Sequence, residues 1–171
     1  MNLKSVIREF PDFPKKGILF RDISPVLKDP DAIKFVIDQF YGLYKNKDID
    51  LIAGIESRGF IFASVLAVRF GKGCVMIRKQ GKLPGKTVSL EYDIEYGSAT
   101  MEIQQDAVSK GQNILIADDL LATGGTARAA AQLIERLGGK VSGFAFVVEL
   151  AALKGRDLIK GYEVHSLVTY T

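Results

Sequence analysis

One run constrains this chain more than any other: Ile-Leu-Ile-Ala-Asp-Asp-Leu-Leu-Ala-Thr-Gly-Gly-Thr, residues 114–126. Its first four residues, Ile114 to Ala117, form the unbroken apolar stretch of a strand buried on both faces, as in a parallel sheet with helices on either side. Asp118 and Asp119 follow at once, which predicts a pair of carboxylates at that strand's carboxyl end. After Leu120 and Leu121 come the small residues Ala122, Thr123, Gly124, Gly125 and Thr126, and then residues 127–137, rich in helix formers. Strand, small-residue loop and helix make a βα unit whose ligands bind beyond the strand's end. Glycines let a backbone approach a ligand closely, and consecutive N–H groups opening a helix form a concavity that favours an anion. A phosphate fits there. The adjacent carboxylates can accept hydrogen bonds from sugar hydroxyls or hold hydrated Mg²⁺, so one loop can hold a sugar phosphate at both ends.

This order of apolar run, double acid and Thr-Gly-Gly-Thr resembles the phosphoribosyl-diphosphate signature of the type I phosphoribosyltransferases. An ordinary strand-to-helix turn would account for Gly125 or for either aspartate alone, but not for the whole run in register. The resemblance implies that Ala122, Thr123, Gly124, Gly125 and Thr126 hold the 5′-phosphate and that Asp118 and Asp119 hold the ribose or metal-bound water.

The rest of the chain fits an α/β protein. A length of 171 residues suits one domain with a small hood. Residues 2–10 place Leu3, Val6, Ile7 and Phe10 at helical spacing, ended by Pro11, and residues 18–20 form a short extended run. Helical periodicity over residues 31–44 precedes a buried strand, residues 50–55, then Glu56-Ser57-Arg58-Gly59 and a helix at about 60–70. Arg58 beside Gly59 offers a planar cation and backbone donors suited to diphosphate; a plain surface arginine fits the same pattern equally well. After a strand at 73–77, residues 78–86 carry Arg78, Lys79, Lys82 and Lys86 among glycines and a proline, predicting a mobile, exposed loop. Such a run is usually only a solvated surface, but beside phosphate loops it can serve as a lid. Gly71-x-Gly73 lacks a third glycine and precedes a strand, so it is no dinucleotide fingerprint. Residues 87–92 and 99–103 pair as a hairpin with Glu95 and Tyr96 at its tip, where a glutamate by type is a solvated turn residue. The helix after Thr126 stops at Gly138 and Gly139, and a strand at 141–150, a short helix at 151–160 and a strand at 162–170 finish the chain.

Charge and composition narrow the function classes. The net charge of +3 is compatible with a polyanionic small substrate and too weak to indicate nucleic acid. Cys74, the one cysteine, cannot form an intramolecular disulfide and is expected to be a buried thiol in a reducing compartment. Residues 1–10 lack a signal peptide's apolar core, and no apolar stretch is long enough to span a bilayer. A cytoplasmic protein that binds neither membrane nor nucleic acid is predicted. His165, the one histidine, lies among alternating strand residues with no metal constellation around it.

From Phe13 through the expected helix that starts at Glu149-Leu150, and including residues 54–60, 77–85 and 114–126, nearly the entire chain is similar to the adenine phosphoribosyltransferases. That resemblance implies a type I phosphoribosyltransferase fold: one domain over 1–171, a mainly parallel central sheet flanked by helices, a hood at about 1–30 and a lid at about 78–98. It implies the reaction of adenine with 5-phosphoribosyl 1-diphosphate to AMP and diphosphate, a purine-salvage step with Mg²⁺ held mainly by substrate and water, in a homodimer. Leu19, Phe20, Arg21 and Leu120 would contact the base, and Ser57, Arg58, Arg78, Lys79 and Lys82 the diphosphate, with a non-proline cis peptide common in the 56–59 loop. Glu95 would manage the base proton and, with Arg58, form the catalytic pair. Ala122 occupies the place where hypoxanthine and guanine enzymes usually carry an aspartate. Other proteins of this fold transfer to other purines or are phosphoribosyl-diphosphate-sensing regulators that bind nucleic acid, normally through an added domain or a concentrated basic face.

Overall fold

The computed structural model describes residues 1–94 and 97–171. It opens with a 3₁₀ turn, Leu3–Ser5, and an antiparallel ribbon of β1 (Arg8–Pro11) and β2 (Leu19–Asp22). The helix expected over residues 2–10 is therefore absent. Its apolar spacing serves another end: Leu3 and Ile7 are buried in the core, while Phe10 is exposed on the ribbon. Pro11 is tolerated because it ends an edge strand, where no N–H need be donated. Asp22 accepts hydrogen bonds from Arg8 across the ribbon and from the Ser24 N–H and hydroxyl. That turns the chain into a short α1 (Ser24–Lys28), which the sequence pattern did not predict.

The Asp29 carboxylate accepts from the Asp31 and Ala32 N–H groups and so caps α2 (Pro30–Tyr44), with Pro30 at a first-turn position where its missing donor is harmless. The remaining elements are β3 (Leu51–Ile55), α3 (Gly59–Phe70), β4 (Gly73–Lys79), β5 (Thr87–Asp93), β6 (Ser98–Gln104), β7 (Asn113–Leu121), α4 (Gly125–Arg136), β8 (Lys140–Leu150) and β9 (Val164–Tyr170). Strands β3 to β9 form one sheet in the order β5-β6-β4-β3-β7-β8-β9. The five strands from β4 to β9 in that order run parallel, and the β5–β6 hairpin joins antiparallel through Arg78 and Lys79 of β4. This is an α/β fold with a mostly parallel central sheet flanked by helices.

The apolar run at 114–117 alternates between two cores. Leu115 and Ala117 pack with Val36 and Phe40 of α2 and Phe62 and Leu66 of α3. Ile114 and Ile116 pack with Ala130, Leu133 and Ile134 of α4. Each leucine or isoleucine taken fully out of water contributes about 1.5–3 kcal/mol, which explains why residues 114–117 carry no polar side chain on either face of the strand.

Four local expectations change. β7 does not stop at the acids but continues through them to Leu121. Arg78 and Lys79 end β4 instead of opening a loop, and the exposed turn beyond them is held by buried Glu102 (4% exposed), whose Oε1 accepts from the Lys82 and Leu83 N–H groups at 3.1 Å each. Residues 151–160 are two 3₁₀ turns, Ala151–Leu153 and Gly155–Ile159, separated by Lys154 in the left-handed region. Cys74 is exposed, not buried: it and Met76 share the uncovered side of β4, whereas Ile77 points into the core. His165 packs edge-on to Tyr44 and bonds Glu163 at 2.9 Å. No helix among the described residues is long and apolar enough to cross a membrane.

Candidate active site

A cavity of about 370 Å³ opens at the carboxyl ends of β3, β4 and β7. Four segments wall it: Glu56, Ser57 and Arg58 after β3; Lys79 at the end of β4; residues 118–124 with Thr126 and Ala127 from β7 into α4; and Phe146 of β8. Two glycine contacts bring these segments together. A Cβ on Gly59 would lie 2.8 Å from Asp118 Oδ1 and 3.0 Å from the Ala117 carbonyl, so only glycine lets the start of α3 settle on β7. Arg58 then reaches across the cavity, its Nε donating to Asp119 Oδ2 at 2.6 Å. On the other side, a Cβ on Gly155 would fall 2.2 Å from the Ala122 carbonyl, and one on Gly124 2.2 Å from the Gly155 carbonyl. The two glycines interlock the 122–124 loop with the segment after β8. Gly124, at φ +87°, also turns the chain into α4, whose first turn has no side-chain cap. Its N–H groups remain available to an anion.

The acids differ in electrostatics. Asp119 is buried (6% exposed) and paired with Arg58. Asp118 accepts the Asp119 N–H at 2.8 Å, yet burial, and next the charge of Asp119, push its carboxyl well above the ordinary carboxylate range, with Arg58 opposing. Ligand groups that donate hydrogen bonds, or a cation, would favour its ionised form. Glu56 ties down the end of β4 opposite: its Oε2 accepts from the Lys79 main-chain N–H at 2.7 Å and from the Arg78 guanidinium Nε at 3.1 Å.

Among the residues singled out by sequence, Ser57, Arg58, Lys79, Asp118, Asp119, Leu120, Ala122, Thr123, Gly124 and Thr126 line this cavity. The Glu56–Ser57 peptide is cis. Gly125 lies behind the loop, against the Tyr92 ring. Arg78 and Lys82 do not line the cavity: the Arg78 guanidinium is taken by Glu56 and the Lys82 N–H by Glu102. Nor do Leu19, Phe20 and Arg21 line it. Leu19 is exposed, Arg21 stacks on Tyr170 at 3.7 Å and pairs with Glu9, and Phe20 alone approaches, its ring 5.6 Å from the Arg58 guanidinium. Glu95, the expected proton-handling residue, falls outside the described residues. Sequence reasoning missed Glu56, Tyr92, Glu102 and Gly155. Glu56 had a signal, since it follows the apolar strand 51–55 as Asp118 follows 114–117; Gly155 had none, because its partner Ala122 is distant in sequence.

No group of three His, Cys, Asp or Glu side chains among the described residues is arranged to hold a metal ion. The acidic donors at the cavity are the carboxylates of Glu56, Asp118 and Asp119, which suits a hard, hydrated cation carried largely by a phosphate ligand and not a protein cage.

A family model described as the phosphoribosyl transferase domain matches residues 25–169. The chain belongs to the phosphoribosyltransferase family. Among members of that family, the adenine phosphoribosyltransferase of Nitrosopumilus maritimus is 59% identical over 170 residues, spanning 99% of this chain and 100% of the relative. The crystal structure of the adenine phosphoribosyltransferase from Thermoanaerobacter pseudethanolicus superposes with a TM-score of 0.95 at 51% identity, covering 98% of this chain and 97% of that one. The Saccharomyces cerevisiae adenine phosphoribosyltransferase, complexed with adenine and an imino-altritol bisphosphate, superposes at 0.91 with 42% identity and 96% coverage of each chain. The phosphoribosyltransferase match begins at Pro25, after the β1–β2 ribbon, and includes every segment that walls the cavity.

Proposed function

We infer that this chain transfers the 5-phosphoribosyl group from 5-phosphoribosyl 1-diphosphate to adenine, giving AMP and diphosphate, a step of purine salvage. One observation carries the reading: a single cavity joins an uncapped helix start, a carboxylate pair and the cations Arg58 and Lys79, matching the three parts of a phosphorylated, diphosphate-activated sugar.

In the reaction the bond from the anomeric carbon to diphosphate breaks, its electron pair leaving with diphosphate, while a base nitrogen bonds to that carbon and the base loses its proton. An oxocarbenium-like state lies between. The N–H groups opening α4 and the Thr126 hydroxyl take the 5′-phosphate, and Asp118 and Asp119 accept from the ribose hydroxyls. Arg58 and Lys79 form charge-assisted hydrogen bonds that strengthen as charge builds on the leaving group. Mg²⁺, when bound with the substrate, neutralises part of the diphosphate charge. Ala122 has no titratable group, so the base proton goes to Glu95, which follows β5 in the sequence.

Once the hood closes, the main chain at Leu19–Arg21, which stands outside the cavity in this structure, would present an acceptor to adenine's exocyclic amine, with Leu120 against the ring. A 6-oxopurine turns an acceptor to the same edge, leaving a buried group unpaired at about 1–3 kcal/mol, a discrimination of roughly tenfold to a few hundredfold. The hood at about 1–30 and the lid at about 78–98 close over one catalytic domain. A homodimer is supported by the exposed apolar stripe of Ile61, Val65 and Val68 on α3, with Met76 of β4. The unpaired Cys74 thiol suits a reducing cytoplasm.

Measuring kcat/KM for adenine, hypoxanthine and guanine with 5-phosphoribosyl 1-diphosphate and Mg²⁺ tests the reading. Adenine should exceed the other bases at least tenfold. Comparable values for all three refute the base assignment, and no base-dependent release of diphosphate refutes the transferase.

A further inference from the structure

Tyr92 belongs neither to the sequence signature nor to the cavity wall, yet its hydroxyl lies 3.1 Å from Thr126 Oγ1, which does line the cavity. The contact is one of several that lay β5 along α4. A Cβ on Gly125 would sit 3.3 Å from Tyr92 Cδ2 and 3.4 Å from the Asp93 carbonyl. At the far end of the helix, Arg136 donates to the Ser89 carbonyl at 2.9 Å. The Tyr92 ring packs against the core that contains Ala127 and Ala130. The phenol is thus held in place by its strand, by its ring and by a second tie three residues earlier on the same strand.

We propose that Tyr92 is a positioning residue for the phosphate site: its O–H donates to Thr126 Oγ1 and turns the Thr126 hydroxyl proton toward the cavity, where it donates to a 5′-phosphate oxygen. The proposal rests on the transferase reading above. A threonine hydroxyl has one proton and two lone pairs, and a phosphate oxygen facing it is an acceptor. Thr126 helps the phosphate only when it donates. A neighbour that itself donates to Oγ1 selects that orientation, and linked hydrogen bonds polarise one another in the same direction. The small Gly125 is what allows the ring to come close enough. By this contact the hairpin that forms part of the lid also sets the hydrogen-bonding state of the phosphate loop.

Tyr92→Phe removes the hydroxyl and keeps the ring against Gly125. We expect the KM for 5-phosphoribosyl 1-diphosphate to rise about three- to tenfold, the range that one hydrogen bond supports. KM for adenine and kcat should change less than twofold. In calorimetry the same variant should bind AMP more weakly by a similar factor. Thr126→Val keeps the side-chain shape without the acceptor and gives a second route: in that background Tyr92→Phe should have no added effect. An unchanged KM and AMP affinity in Tyr92→Phe overturns the proposal, as does a full, additive loss in the double variant. A wild-type protein that forms no AMP from adenine overturns the functional reading itself, whereas an active wild type with an unaffected Tyr92→Phe overturns only the role of Tyr92.

Discussion

Gly155→Ala puts the interlock between the 122–124 loop and the segment after β8 under direct strain. The added methyl would stand 2.2 Å from the Ala122 carbonyl and 3.0 Å from Leu121 Cδ1, where ordinary contact begins at 3.4 Å. Relief requires the two segments to part by about 1.2 Å, the difference between 3.4 and 2.2 Å. The obstacle is backbone, not the end of a flexible side chain, and Gly124 is pressed against the Gly155 carbonyl from the other side. Gly155 is not among the residues of positive φ, so alanine brings no conformational penalty and the effect is steric. Overpacking of this kind costs about 1–3 kcal/mol, or roughly 2–12 °C in Tm for a chain of this size. A displacement on the order of 1 Å at a substrate-positioning loop lowers kcat/KM about a hundredfold. Scanning calorimetry, steady-state kinetics and AMP titration on the same preparation separate the two effects. Gly42→Ala is the control: nothing lies within 4 Å of its Cβ position, and within α2 the change should stabilise by about 0.5–1 kcal/mol without touching activity. A Gly155→Ala enzyme with wild-type kinetics would show that the close approach does not set the loop's position.

Two further outcomes follow from features away from that interlock. The fold favours protonated Asp118, so between the ordinary carboxylate pKa, about 4, and the raised value the native protein binds more protons than the unfolded chain, and stability falls as pH rises through that window. Asp118→Asn should therefore melt higher than wild type at neutral pH while losing at least tenfold in kcat/KM; a lower Tm with normal turnover would contradict both assignments. Val68, 82% exposed on α3, lies on the surface assigned to the dimer. Val68→Glu should shift sedimentation toward the monomer, and an unchanged distribution would place the interface elsewhere.

What the sequence made legible was local and repetitive. The 114–126 run announced its strand, loop and helix because burial on both faces leaves an unbroken apolar stretch, and because an anion-binding helix start needs small residues next to it. The same grammar marked β3 and α3 around Arg58. It failed where one spacing suits two structures. Leu3, Val6, Ile7 and Phe10 match a helix, yet the chain packs Leu3, Val6 and Ile7 on the core around a single 3₁₀ turn and gives Phe10 to a ribbon whose partner strand begins at Leu19. Cys74 was misjudged because apolar neighbours do not say which side of a strand is covered. Glu102 has nothing in the sequence to set it apart within the 99–103 strand; only the fold shows that the Lys82–Leu83 turn folds back over it. Tyr92 and Gly155 are legible only in three dimensions, since each acts on a loop that the chain reaches much later or has long since left.

The contact between Arg58 and Asp119 joins the turn after β3 to the carboxyl end of β7 across the cavity. Before substrate arrives, each is the other's counter-ion, so a site meant for a polyanion rests in a self-neutralised state. In the proposed reaction, binding becomes an exchange of partners: ribose hydroxyls take over Asp119 while diphosphate takes over Arg58. The affinity is then a difference between two sets of pairings, smaller than the ligand's charge alone would give. When diphosphate departs, the resting pair re-forms and competes with its return. An internal rival to the product thus favours turnover over tight retention, using only two side chains already present for the chemistry.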